Sequence, residues 1–355
     1  MKRVLSLILS IVMLSFIVTG CSKSTDKTTD SNSQKDADTS KDAAGGDDIT
    51  LGVAALDLTS DFFVSMIEGG DEAAAEEDVE VLWKSADSNL DKQIALIENF
   101  IQQGVDCILI DPYDSTGLIP VCEQAAAAGI PVISMGNFID SEAVTCTLYN
   151  DYQDTYTVGK IMAEILEGKG EVAVLYGAAG NFVSDERQRG FEEAIAEYPD
   201  MKCTSLPVGW DTSTTLKTTQ DLLASNPNIV GIHSFYDGVT TAVYRAVDQA
   251  GKTDDIIITS YDGSKEGSQA VIDDKYLCTV LTGAKRVGYW DVKMAVKLAN
   301  GEELEQKNYL KSHLIMKDDL KEKVEGWGIG YDGMSIITPE TGITMFDDMS
   351  QGFDE

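Results

Sequence analysis

From Ile49 onward the chain alternates short apolar runs with longer amphipathic stretches, a rhythm that few folds accommodate. Ile49 to Leu56, Val79 to Trp83, Val105 to Asp111 and Ile130 to Met135 read as buried strands. Helices are expected over Asp61 to Glu77, Asn89 to Gln103 and Thr116 to Ala128; in the second, Ile94, Leu96, Ile97, Phe100 and Ile101 share one face. Strands and helices alternating at this spacing require a mostly parallel sheet covered on both sides. The pattern restarts after Val144 to Leu148, with strands over Glu171 to Tyr176, Met201 to Pro207, Ile229 to His233, Ile256 to Tyr261 and Leu277 to Thr282. Helices should begin there near Thr155, Ser184, Thr214, Gly238 and Ser264. The stretch from residue 49 to 355 has room for two doubly wound α/β lobes. Such sheets bind ligands beyond the carboxyl ends of their strands, so facing lobes place the candidate site in the cleft between them.

The amino end has a different character. Lys2 and Arg3 precede an uncharged apolar run from Val4 to Val18, too short for a comfortable bilayer span and suited to a signal-peptide core. It closes on Val18-Thr19-Gly20-Cys21, which resembles the bacterial lipoprotein cleavage box, so residues 1 to 21 are expected to be a lipoprotein signal with Cys21 lipidated. Residues 22 to 48 carry no aromatic and no aliphatic side chain larger than Ala, and read as a disordered tether. With 27 basic against 60 acidic residues, the net charge of -33 has the wrong sign for gripping a phosphate backbone, which excludes nucleic acid as a partner.

Catalytic and metal chemistries find little support. Cys107, Cys122, Cys146, Cys203 and Cys278 form no CxxC pair; Cys107, Cys146 and Cys278 fall in strand-like runs, as buried free thiols would. His233 and His313 lack ligand-type neighbours, no GxSxG elbow is present, and no cofactor is implied. The loop Tyr176-Gly-Ala-Ala-Gly180-Asn181 lacks the Lys-Ser/Thr of a nucleotide loop. Gly326-Trp-Gly-Ile-Gly330 follows no strand.

The informative residues lie at strand ends. Ser60 precedes Phe62 and Phe63 at a helix start; adjacent helical side chains diverge by about 100°, so one ring is expected to pack inward and the other to face the cleft. Gly136 and Asn137 follow the fourth strand. Trp210-Asp211, Tyr236-Asp237 and Tyr261-Asp262 each follow a strand, and aromatic faces with carboxylates suit carbohydrate C–H faces and vicinal hydroxyls. Each aspartate has an alternative role as a helix N-cap, Asp237 above all.

The span from Ile49 to about Ile315 resembles the periplasmic sugar-binding proteins of the ribose and galactose type, whose core is shared with lac-repressor-like regulators. The resemblance is carried by Asp61-Phe62-Phe63-Val64-Ser65, Gly104-Val105-Asp106 through Ile110-Asp111-Pro112, Gly129-Ile130-Pro131-Val132, Arg187-Gln-Arg-Gly190-Phe191 and Tyr261-Asp262-Gly263. Asn150-Asp151-Tyr152 running to Gly159-Lys160 resembles the segment that enters the second lobe. It implies a type I periplasmic binding protein, two parallel-sheet lobes joined by a hinge of three crossovers near Asn150, Gly283 and His313. The lobes would then be 49–149 plus 284–312 and 150–283 plus 313–355, with the acidic tail on the second.

Carried over by position, Phe62 and Phe63 match the first-lobe rings, Trp210 the second-lobe ring, Arg187 and Asp262 the polar clamps, and Ser60 a polar contact. Three positions depart: Gly136 followed by Asn137 replaces an acidic or Asn-type residue often followed by Arg, Tyr236 replaces an Asn, and Gly283 replaces a polar residue. No second-lobe calcium loop is visible. The implied protein is a monomeric, lipid-anchored extracellular receptor that closes on a sugar or polyol and delivers it to an ABC transporter permease, binding without catalysis. The alternative is a sensor that presents a sugar or non-sugar signal to a membrane receptor kinase.

Overall fold

The computed structural model describes residues 49–353. The expected signal peptide, Cys21, the 22–48 tether and the last two acidic residues lie outside the described residues. The order begins β1 (Thr50–Ala55), α1 (Asp61–Glu77), β2 (Glu80–Ser85), α2 (Leu90–Gln103), β3 (Cys107–Ile110), α3 (Ile119–Ala127), β4 (Val132–Ser134) and β5 (Val144–Leu148). It continues with α4 (Asp151–Ile165), β6 (Lys169–Tyr176), α5 (Phe182–Ala196), β7 (Asp200–Pro207), α6 (Thr212–Ser225), β8 (Ile229–Ser234), α7 (Asp237–Gln249), β9 (Ile257–Thr259), α8 (Lys265–Ile272) and β10 (Thr279–Leu281). The remainder is α9 (Ala284–Ala299), β11 (Lys307–Tyr309), β12 (His313–Ile315), α10 (Asp318–Trp327), β13 (Ser335–Ile337) and α11 (Pro339–Met345).

Two parallel sheets make two lobes. One runs β11-β5-β4-β3-β1-β2, the other β7-β6-β8-β9, and every pairing within them is parallel. Isolated bridges Thr259↔Cys278 and Asp262↔Leu281 carry the second sheet on to β10, which pairs antiparallel with β12, and β12 pairs in parallel with β13. In both sheets the order reverses beside the first strand, at β1/β3 and at β6/β8, and a crevice opens at such a switch point beyond the strand ends.

Local chemistry sets most boundaries. Asn89 accepts the Lys92 N–H at 2.8 Å to start α2, and Gly104 in a left-handed conformation ends it. The helix expected from Thr116 starts only at Ile119, because the Asp114 carboxylate accepts the N–H groups of Thr116 and Gly117 and holds them in a turn. The five described cysteines are free thiols, four of them buried, and burial pushes Cys122 up to about 12 and Cys146 to about 11. His233 is buried with Nδ1 3.0 Å from Thr259 Oγ1, and burial lowers its pKa to about 3.

The chain leaves the six-stranded sheet after β5, returns to it through α9 and β11, and leaves again into β12. Arg286 Nη2 donates to the carbonyls of Thr282 and Lys311, both at 2.7 Å, and so ties two of these passages together. The tail does not stay on the second lobe as expected. β13 and α11 pack there, but Trp290 of α9 then donates its indole N–H to Met349 O at 2.9 Å, and Phe353 bridges Leu310 and packs against the first-lobe core. The apolar ring of Phe353 draws the chain end back across the hinge.

Helices α1 and α9 approach closely through glycines. A Cβ at Gly69 would lie 1.9 Å from Lys285 O, and one at Gly288 would lie 1.9 Å from Met66 O. Gly288→Ala should therefore force these helices apart and cost about 1–3 kcal/mol, read as a lower urea midpoint with an unchanged slope.

Candidate ligand-binding site

Eighteen residues from both lobes line one cavity at the two switch points, among them all eight candidates Ser60, Phe62, Phe63, Asn137, Arg187, Trp210, Tyr236 and Asp262. On the first-lobe side Ser60 is the N-cap residue of α1. Phe62 and Phe63 meet edge to face, centroids 5.4 Å apart, and both line the cavity. Phe63 packs inward, buried in the first-lobe core, while Phe62 is half-buried; because the helix starts at the cavity rim, both also touch its wall. Asn137 is buried; its Oδ1 accepts from Phe138 N–H at 3.0 Å and Ser115 Oγ at 3.3 Å, which leaves its amide hydrogens unengaged.

On the second-lobe side Arg187 is the hub. Its Nε donates to Asp151 at 2.8 Å, its Nη1 to Phe235 O at 2.7 Å and to Asp262 Oδ1 at 3.3 Å, and its guanidinium lies 3.6 Å over the Tyr261 ring. Burial opposes its charge, but Asp151, Tyr261 and Asp262 together hold it protonated. Burial also raises Asp262 to about 6 against the pull of Arg187. Asp262 has φ +92°, a strained conformation for a non-glycine residue and a feature of functional sites. Trp210 packs edge-on to Phe235 at 5.0 Å and near Tyr236 at 5.8 Å; its buried Nε1 has no partner. Tyr236 donates its hydroxyl to Trp210 O at 3.3 Å.

Only half of the recurring aromatic and carboxylate pairs faces the cavity. Asp211 caps α6 through Thr214 N–H at 2.6 Å. Asp237 does not cap its own helix, whose N-cap is Tyr236; it accepts from Ser264 N–H, Ser264 Oγ and Thr279 Oγ1, which correct the cap expected there. Tyr261 is fully buried and donates to Asp154 at 2.6 Å. In the glycine loop Gly180 N–H donates to Asp185, Asn181 N–H donates to Ala178 O, and Asn181 Oδ1 accepts the Ser184 N–H to cap α5.

Among the lining residues outside those eight are Asp111, Tyr149 and Asn181. Asp111 directly follows β3, the position that could have marked it. Asn181 donates Nδ2 to Pro112 O at 3.1 Å, and Phe138 meets Phe182 at 5.3 Å, so the lobes touch beside the cavity. Among the described residues no group of three His, Cys, Asp or Glu could hold a metal, and no helix is long and apolar enough to cross a membrane.

Residues 51–303 match the family model of the periplasmic binding protein domain. The chain belongs to that family. A ribose import binding protein of Bacillus subtilis is 27% identical over 313 residues, 86% of this chain and 96% of that one. A solute-binding protein of Actinobacillus succinogenes, solved with D-allose, is 28% identical with a TM-score of 0.72, covering 77% of this chain and 99% of that one. One of Bacillus halodurans, solved with myo-inositol, is 25% identical with a TM-score of 0.73, covering 79% and 99%. The family consists of binding proteins rather than enzymes, which work outside the cytoplasm, and its type I architecture is the one seen here.

Several carboxylates are held above the usual range by burial, Asp237 at about 7 and Asp111 at about 8. An acid whose folded pKa exceeds its unfolded one binds more protons when folded, so its stability contribution falls as pH rises through that interval. By about pH 7.5 free histidines are largely neutral, as His233 and His313 are when folded, because burial lowers both; between about pH 7.5 and 8.5 the raised carboxylates, joined by the buried thiols, therefore give the slope its sign. The urea midpoint should drop over this range, and Asp111→Asn should shrink the drop.

Proposed function

We propose that this chain is the solute receptor of an ABC importer, capturing a sugar or sugar-like polyol between its lobes and presenting it to the permease. The observation that carries this is the convergence of aromatic rings and the Arg187–Asp262 clamp, from both lobes, on one cavity. Rings stack on the C–H faces of a sugar while Asn137, Arg187 and Asp262 offer donors and acceptors to its hydroxyls. Ser60, Phe62 and Phe63 form the first-lobe wall of this site; Trp210, Tyr236 and the clamp form the second.

Strand membership supports lobes of 49–149 plus 284–312 and 150–283 plus 313–345, beyond which the chain end turns back to the first lobe, with closure by rotation about the three passages between them. The receptor acts as a monomer, held at the membrane surface by a lipid on Cys21, with residues 22–48 giving it reach.

Thermal unfolding against pentoses, hexoses, polyols, nucleosides and short oligosaccharides tests this. Ligand at 100 times its Kd should stabilise by about 2.7 kcal/mol, and Trp210→Ala should weaken binding by about 1–3 kcal/mol. A panel without a hit would overturn the sugar assignment. For the anchor, Cys21→Ser should move the protein from the membrane fraction to the soluble one; unchanged fractionation would dismiss the lipid.

A further inference from the structure

Acidic side chains outnumber basic ones around the cavity. Asp57, Asp111 and Asp262 line it, and Arg187 is the one basic side chain that does. Asp57 is committed to its own loop, accepting from Leu58 N–H at 2.7 Å and from Thr59 N–H and hydroxyl. Asp262 is committed to Arg187 Nη1, which it shares with the Phe235 carbonyl, while Nε of the same guanidinium serves Asp151. The Asp111 carboxylate has no hydrogen-bond donor, and burial alone accounts for its raised pKa.

Its position is set firmly. Gln93, itself buried, donates to Asp111 O at 2.6 Å and to Ala54 O at 2.9 Å, while its Oε1 accepts the Tyr113 N–H at 2.9 Å. The backbone of Asp111 is thus fixed just past β3, in the crevice of the switch point. Tyr149, 5% exposed, also lines the cavity, and its hydroxyl has no partner. Behind Asp111 stands Asp291 of α9, buried, held well above its usual pKa by desolvation, and without a positive neighbour. The cations around this corner are Arg187, already paired, and Arg286, which acts on Tyr149 and is held by the Thr282 and Lys311 carbonyls; neither donates to Asp111.

We infer that the ligand carries a protonated amine, which docks on Asp111: an amino sugar or an amino polyol rather than a neutral one. The inference rests on the receptor reading above. An ammonium supplies both the missing donors and the missing counter-charge, whereas a hydroxyl supplies a donor alone. The rings of Phe62, Phe63, Trp210 and Tyr236 around the same cavity offer negative faces to a cation, and their walls lower the local dielectric.

The test is titration calorimetry of the whole protein with matched pairs: glucosamine, N-acetylglucosamine and glucose, then galactosamine, N-acetylgalactosamine and galactose. At least one free amine should bind about tenfold or more tighter than both neutral partners. Asp111→Asn, nearly isosteric, should collapse the ratio of amine to neutral affinity, whatever it does to each affinity alone. Docking an ammonium requires ionised Asp111, so amine affinity should rise from pH 6 to pH 7.5 in the wild type and less in the variant; Asp262 and Arg187 remain in both and serve as the internal control. Neutral sugars that bind as tightly as their amines would overturn the amine inference and leave the receptor reading in place. Binding by no member, neutral or amine, would take down both.

Discussion

The guanidinium of Arg187 is the point on which the second lobe's half of the cavity depends. It joins α5 to the first residue of α4, to the carbonyl just past β8 and to Asp262 just past β9, so four chain segments distant in sequence share one cation. Asp151 is a buried carboxylate and Asp262 a partly buried one, both paired with this cation; removing the cation would leave Asp151 an uncompensated buried charge, at a cost of about 3–5 kcal/mol. One turn further along α4, Asp154 accepts the hydroxyls of Tyr261 at 2.6 Å and Tyr331 at 2.7 Å. Tyr261 in turn lies beneath the guanidinium, so the plane of the clamp is set from below by a carboxylate that never reaches the cavity.

That same network reaches the tail. Tyr331 stands in the segment between α10 and β13, beyond the stretch that matches the family model, yet its hydroxyl is bound into the support of Arg187. The chain then goes on through α11 on the second lobe, where Lys265 pairs with Asp347, and ends against Trp290 and Leu310 of the first. His313 lies between, with Nδ1 2.6 Å from Ser335 Oγ and Nε2 3.1 Å from Gln351 Oε1. The tail is therefore a further physical link between lobes, added to the three backbone passages, and rotation of one lobe against the other must stretch or release it.

How much was legible in the sequence follows the range of the interactions concerned. α1 over Asp61–Glu77 and β5 over Val144–Leu148 match the periodicity to the residue, because periodicity, caps and glycines act within a few positions. Of the cavity, the residues next to strand ends could be named, since a parallel sheet places them there whatever the details. The fate of the carboxylates could not be read. Asp211 and Asp237 follow strands in the same way, but one answers to Thr214 three residues on, the other to Thr279 forty-two residues away. The return of the tail was equally hidden: a single Phe353 near an acidic terminus gives no pattern until Leu310 is there to meet it.

The three departures from the ribose-type pattern have separate physical causes. Gly136 has φ +59°, and a Cβ there would come within 3.0 Å of the Tyr149 ring, so the absent side chain is what admits Tyr149 to the cavity wall. Its N–H is taken by Thr147 Oγ1 at 2.8 Å, which fixes the turn and leaves no backbone donor for a ligand. Tyr236 fills the place of an amide with a ring whose hydroxyl points to Trp210 O, trading a hydrogen-bonding group for aromatic surface. Gly283 is absent from the cavity lining; it begins α9 at φ +77°, where a side chain would be strained, so the passage between lobes and not the ligand dictates the glycine. Two of the three changes thus replace polar reach with aromatic wall, and the third concerns the hinge. What remains to specify a ligand by charge is Arg187 with its two carboxylates and, across the cavity, Asp111 with none of its acceptor capacity used.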